Sequence, residues 1–339
     1  ISRYRRFYAL DGLRGVAAFI VVLFHAWPFF GRIAPGGYLA VDVFFALSGF
    51  VLAHRYETDF SRLTTFSFFK LRARRFYPVY FVGLVLGALL AAALLATGSP
   101  SAIPTGEFSI ALASALVFFP FILGGPIAPL NVPAWSLIYE LAANVLYAWW
   151  MRLGGRGLYL ILALSFLGFS FFSFIDGSAN IGVDFHQMPA GILRTIFSFS
   201  AGIAVHRLGG RVQTAHGYTF CSSRRCFLRL SAPIWRAIYD LVCIGFLFPL
   251  SIWALSKCSN EIAPNFMGLL GTLSFPMYAI HWPMIWLVNG FANRISPDAP
   301  PVFIGVVFLL ILIATSYLLE QYMDRPLRER WRSKVAPAR

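Results

Sequence analysis

Charge is what this sequence has least of. Of its 339 residues, only 12% are Asp, Glu, Lys or Arg, against 58% hydrophobic and 17% aromatic. A soluble chain carries about 25% charged residues, so a water-soluble domain is excluded and a polytopic membrane protein is predicted. Acidic residues are rarer still, with 14 Asp and Glu against 28 Lys and Arg, a net charge of +14. That excess does not point to nucleic acid. Of the 28 basic residues, 21 fall in four short stretches at segment ends, 1–7, 54–75, 207–236 and 325–339. Basic loops between apolar runs are the positive-inside signature of a protein embedded in a lipid bilayer.

Other absences narrow the chemistry. Cys221, Cys226, Cys243 and Cys258 make no CxxC pairing, and the first two flank SSRR in a loop expected to be cytoplasmic and reducing. Neither HExxH nor a His and carboxylate cluster at ligand spacing occurs, so no metal is expected. A Gly-x-Ser-x-Gly elbow is also missing, which leaves a serine hydrolase unsupported. No run alternates with period two as a barrel strand would. The chain shows no internal repeat, no low-complexity linker and no soluble domain at either end, so residues 1–339 read as one membrane domain. The first apolar run carries Asp and Arg without a small-residue cleavage site, unlike a removable signal peptide.

What is present is a series of apolar segments, about 8–30, 37–54, 76–97, 107–123, 133–151, 157–174, 189–206, 236–256, 266–289 and 301–323, each read as a helix. The predicted fold is all-α, with about ten transmembrane helices around a central pore. The 107–130 stretch is short and ends in the breaker-rich PFILGGPIAPLNVP, so it reads as a re-entrant element as readily as a span. Strict alternation of ten spans places the basic 207–236 loop against the positive-inside rule, whereas nine spans flip the tail. Pro276 and Pro283 predict an irregularity inside 266–289.

Ionisable groups inside apolar runs are functional candidates by default, because the bilayer makes them costly. Asp11, Arg14 and His25 lie in the first segment and Asp42 in the second. Arg14 and His25 are eleven residues apart, which returns them to within about 20° of one helix face, roughly 16 Å apart along it. A carboxylate from Asp11 or Asp42 beside His25 would fix its tautomer and make it a base for a hydroxyl nucleophile. Ser48-Gly49 reads either as a small-residue packing contact or as a place where a ligand approaches the backbone. Arg72 and Arg75 share a face and suit phosphates, besides acting as topogenic charges. Trp135 fits an interfacial belt, while Glu140, deeper in its run, needs a cation, with Arg14 or Arg194 expected. Tyr278 and His281 in SFPMYAIHWP, and Glu320 before the terminal DRP, complete the set, with His281 as readily structural as catalytic.

These residues resemble the integral-membrane acyltransferase family 3. The opening LDGLRGVAAFIVVLFH has the family's Arg-x10-His spacing, and VDVFFALSGFVL is similar to its second helix. RARRFYP matches Arg-x-x-Arg-Ile-x-Pro with Phe76 in place of Ile, PAWSLIYE matches Trp-Ser-Leu-x-x-Glu, and SFPMYAIHWP matches Ser-x-x-Tyr-x-x-His-x-Pro. The resemblance spans roughly residues 8–326. It implies about ten helices with cytoplasmic termini in a bacterial inner membrane, and transfer of an acyl group, commonly acetyl from acetyl-CoA, to a hydroxyl. The acceptor it implies is a glycan, a lipid-linked sugar or a small glycoside.

The resemblance makes His25 the base or acyl-handling residue, with Arg14 positioning the donor, and Asp11 and Asp42 are grouped with them as catalytic. Arg72 and Arg75 would hold the phosphates of acyl-CoA, with Ser48 and Gly49 beside them. Trp135, Glu140, Tyr278, His281 and Glu320 would line or support the pore. A proton-coupled secondary transporter suits the same buried charges, although transporters usually show internal repeats. A scaffold held together by its charges is the third reading.

Overall fold

The computed structural model describes residues 6–57, 64–99, 101–153, 156–209, 233–258 and 263–335. Nine of the ten apolar segments are helical through most of their length within these bounds, and 107–123 is helical only to Leu116. In chain order the helices are α1 (Tyr8–His25), α2 (Trp27–Phe30), α3 (Ala40–Tyr56), α4 (Thr65–Ala96), α5 (Thr105–Leu116), α6 (Trp135–Arg152) and α7 (Leu158–Asp176). There follow α8 (Met188–Gly209), α9 (Pro233–Val242), α10 (Phe248–Lys257), α11 (Pro264–Ile295), α12 (Pro301–Leu319) and α13 (Arg325–Val335). Two π-helical turns, Cys243–Leu247 and Glu320–Asp324, join α9 to α10 and α12 to α13 without a break. The chain is an all-α, multi-pass membrane protein.

Seven helical stretches among the described residues are long and apolar enough to cross a bilayer. The expectation of about ten spans meets this count through three exceptions. Helices α6 and α11 have the length, at 18 and 32 residues, but their sequences are diluted by inward polar groups such as Asn144 and His281. Helix α5 has 12 residues, about 18 Å against a hydrocarbon core of about 30 Å. Beyond it the backbone is non-helical to Asn131; the Phe121 N–H donates to the Ile127 carbonyl, and Gly125 and Ile127 pair with 183–185. That irregular, partly buried segment has the form expected of a re-entrant element. A further difference lies in α4, which starts eleven residues before the predicted 76, placing Arg72 and Arg75 on the helix itself. Most of the 207–236 loop, with Cys221 and Cys226, lies outside the described residues.

The helices fall into an inner and an outer set. Helices α3 and α8 are mostly buried, whereas α7 and α12 show long apolar faces such as Leu160, Leu164 and Leu167, or Phe303, Val306 and Leu310. The two closest seams are α1 on α11 and α3 on α8. Glycine makes the second seam possible. A Cβ on Gly49 would lie 1.9 Å from the Phe199 carbonyl oxygen, and one on Gly202 1.8 Å from that of Ala46. Gly49 therefore serves helix packing rather than ligand approach, which corrects its place in the expected donor site.

The irregularity at Pro283 also has a structural use. Proline cannot donate to the carbonyl four residues back, which leaves the Ala279 oxygen free inside α11. Asn131 fills the gap, its Nδ2 donating to Ala279 O at 2.8 Å. This bond ties the end of the irregular segment to α11, at the level where α11 carries Tyr278 and His281.

Candidate active site

A cavity of about 980 Å³ opens at the end of the bundle where the Lys and Arg residues cluster. It lies between the first turns of α1, α3 from Phe44 onward, the start of α4, the first turns of α6, the first half of α11, and α13. Eight Lys and Arg residues line it against three carboxylates, Asp11, Glu140 and Asp324. Because α4 presents Lys70, Arg72, Arg74 and Arg75 within two turns, a single helix supplies half of that charge. Such a surface fits a polyanion of small-molecule size.

The carboxylates hold Arg14, Arg72 and Arg75 loosely, and Arg6 closely. Asp11 is 3.3 Å from Arg14 and 2.9 Å from Arg6, Glu140 is 3.7 Å from Arg72, and Asp324 is 3.6 Å from Arg75. Glu140 thus meets Arg72, and not Arg14 or Arg194 as expected. Arg328 of α13 lies 3.4 Å from Asp324 and also pairs with Glu320, so Glu320 supports the wall from behind. Asp324 and Arg328 were not anticipated. Their signal was the four-residue spacing Glu320, Asp324, Arg328, which stacks three charges on one helical face.

The inner end of the cavity is closed by Phe44, Ser136 and Tyr278. The Tyr278 hydroxyl donates to the Pro133 carbonyl at 2.8 Å and accepts from Ser136 at 2.6 Å, and Phe44 packs edge-on against its ring. One helical turn beyond Tyr278 lies His281, fully buried, with its Nε2 3.0 Å from Nδ1 of His25. Phe24 and Trp282 enclose the His25 ring, with centroids 4.9 and 5.1 Å away. Arg14 and His25 occur at two depths on α1 as predicted, but only Arg14 faces the cavity. His25 sits past the Tyr278 wall, joined to it through His281, whose ring centroid is 5.7 Å from that of Tyr278.

Asp42 goes elsewhere. It was expected beside His25, yet it forms a two-oxygen salt bridge with Arg194 of α8, at 2.6 to 3.1 Å, and accepts from Ser198 at 2.9 Å. Arg194 also donates to the Tyr38 and Ile181 carbonyls and stacks on Trp135, its guanidinium 5.7 Å from the ring. Trp135 is therefore a wall of this ion pair and not a lining residue of the cavity. The α3 to α8 approach that Gly49 and Gly202 permit brings the pair together. The groups that can fix the His25 tautomer are His281 and the Val21 carbonyl of its own helix, not a carboxylate.

A family model described as an acyltransferase domain, acyltransferase family 3, matches residues 7–320. The chain belongs to this family. It is 28% identical to the exopolysaccharide production protein ExoZ of Rhizobium meliloti over 326 residues, covering 94% of this chain and 98% of that one. "Protein 2 in picA locus" of Rhizobium radiobacter is 42% identical over 174 residues, 47% of this chain and 91% of that protein. The peptidoglycan O-acetyltransferase OatA of Listeria monocytogenes is 33% identical over 93 residues, 25% of this chain and 14% of that protein. No solved structure matches this family member. As a family 3 acyltransferase, the chain has the histidine pair and most of the charged cavity inside the matched region, while Arg6, Asp324, Arg328 and Trp331 of the cavity lie outside it.

Proposed function

We propose that this acyltransferase moves an acetyl group from cytoplasmic acetyl-CoA to a hydroxyl of a carbohydrate-containing acceptor, in a bacterial inner membrane. The observation that carries the reading is the excess of cations in the cavity, which ends one helical turn from the His25–His281 pair. The adenosine and diphosphate part of CoA suits the mouth, with Arg72, Arg75 and Arg14 on its phosphates. Between Arg14 and His25 the chain rises roughly 16 Å, a distance for the pantetheine arm to cover. The Tyr278 wall must shift for the thioester to reach His25.

Acyl transfer from a thioester then needs three things. His25 takes the proton from the acceptor hydroxyl as the oxygen attacks the thioester carbon. The oxyanion so formed calls for a hydrogen-bond donor, the C–S bond breaks, and the thiolate leaves with the proton that His25 took. Water must be kept away from the thioester, and the Phe24, Trp282 and Phe44 surroundings favour that. The carbohydrate half of the proposal draws on two relatives, one named for exopolysaccharide production and one for peptidoglycan O-acetylation.

The test is acetyl-CoA turnover by the purified protein, followed as free CoA, with and without an envelope-glycan fraction. Native protein should release CoA in response to the glycan, and folded His25→Ala should not. CoA release that ignores the glycan sinks the acceptor assignment. If no acetyl-CoA is bound or consumed, the donor assignment fails and a longer acyl donor takes its place.

A further inference from the structure

We propose that His281 is a positioning residue that sets the protonation pattern of His25, in the place where many acyl-transfer sites use a carboxylate. The inference rests on His25 acting as the base. Its starting point is the far nitrogen of His281. Nδ1 of His281 lies 2.7 Å from the Tyr278 carbonyl oxygen and 3.2 Å from that of Met277. A carbonyl only accepts hydrogen bonds, so the His281 proton resides on Nδ1. Its Nε2 then carries a lone pair, and 3.0 Å away lies Nδ1 of His25. That bond forms only if His25 holds its proton on Nδ1.

The consequence falls on the opposite nitrogen. With Nδ1 protonated, Nε2 of His25 keeps its lone pair and is the atom that accepts a proton from the acceptor hydroxyl. When it does so, the imidazolium still donates through Nδ1 to His281, so the bond survives the step. The same Nε2 proton passes next to the departing thiolate, which leaves as the CoA thiol, and both histidines return to their starting forms. The orientation of His281 is fixed by its own helix and by full burial. The Asn131 bond to Ala279, two residues before it, holds that turn in place.

The experiment compares two substitutions in the full-length protein. His281→Gln places an amide oxygen where Nε2 was, which still accepts from His25, whereas His281→Phe keeps the ring size and offers no acceptor. Nitrogen-15 histidine spectra of native and substituted protein, with the His25 signals identified from His25→Ala, report the tautomer directly. Native His25 should show a protonated Nδ1 and a bare Nε2, retained in His281→Gln and lost in His281→Phe. For CoA release, His281→Phe should lose about a hundredfold or more in kcat, with the acetyl-CoA KM and the melting temperature little changed. His281→Gln should stay within about tenfold of native by the same reasoning.

A native His25 protonated on Nε2 overturns the proposal, as does equal activity loss in both variants or full activity in His281→Phe. If native protein turns over no acetyl-CoA, the proposed function falls while the spectra still decide the tautomer. Should His281→Phe fail to fold, the native and His281→Gln spectra decide it.

Discussion

Two groups of buried charge within one bundle behave differently. The Asp42–Arg194 pair is dry, both side chains 1% exposed and joined by three hydrogen bonds of 2.6 to 3.1 Å. Three pairs in the cavity wall are longer, 3.3 to 3.7 Å for Arg14, Arg72 and Arg75, and Arg14 and Arg75 are 27% and 33% exposed, while Arg6 and Arg328 pair closely at its rim. A buried pair whose three guanidinium nitrogens all donate holds helices in register, and removing one member strands the other charge. A loosely held, partly exposed guanidinium is available to exchange its carboxylate for a phosphate. Burial alone therefore does not mark a functional charge, and the closeness of its partners separates the two kinds.

The largest expected effect tests the dry pair. Asp42→Ala or Arg194→Ala should each cost about 3–5 kcal/mol, read as loss of folded protein in detergent. The double variant should cost less than the sum of the two. Full activity in folded Asp42→Ala would erase the contrast between the two regions. Next come the seam glycines: Gly202→Val should lower stability by about 1–3 kcal/mol through overpacking, measured as a fall in melting temperature. A smaller effect is expected in the cavity. Arg72→Ala and Arg75→Ala should raise the acetyl-CoA KM about tenfold, about 1.4 kcal/mol, without moving the melting temperature. Added salt should weaken native donor binding more than that of either variant. Smallest is Arg328→Ala, with an expected KM increase of about threefold, since Arg328 reaches the cavity while shared between Asp324 and Glu320.

The sequence made the fold class legible because hydrophobic runs of helical length leave few alternatives in a bilayer. It made the α1 half of the site legible too, since the spacing of Arg14 and His25 follows from one helix. Partners across helices were not legible. Asp42 meets Arg194 152 residues away, and Tyr278 meets Ser136 at 142. No local pattern encodes which helices are neighbours. The role of Gly49 was open for the same reason, because its meaning depends on a carbonyl of α8. Arg328 was within reach of inspection, yet its spacing gained meaning only once a π-turn carried α12 into α13 and turned that face toward Arg75.

The histidine contact also carries a consequence in time. His25 and His281 are separated by 256 residues. At a synthesis rate of about 5–20 residues per second, the first histidine waits roughly 13–50 seconds for its counterpart to be made. Helix α1 enters the membrane early, but the proton arrangement argued for His25 comes only when α11 docks along it. Two separately expressed fragments, divided in the 210–232 region, would recover turnover only on association of their halves.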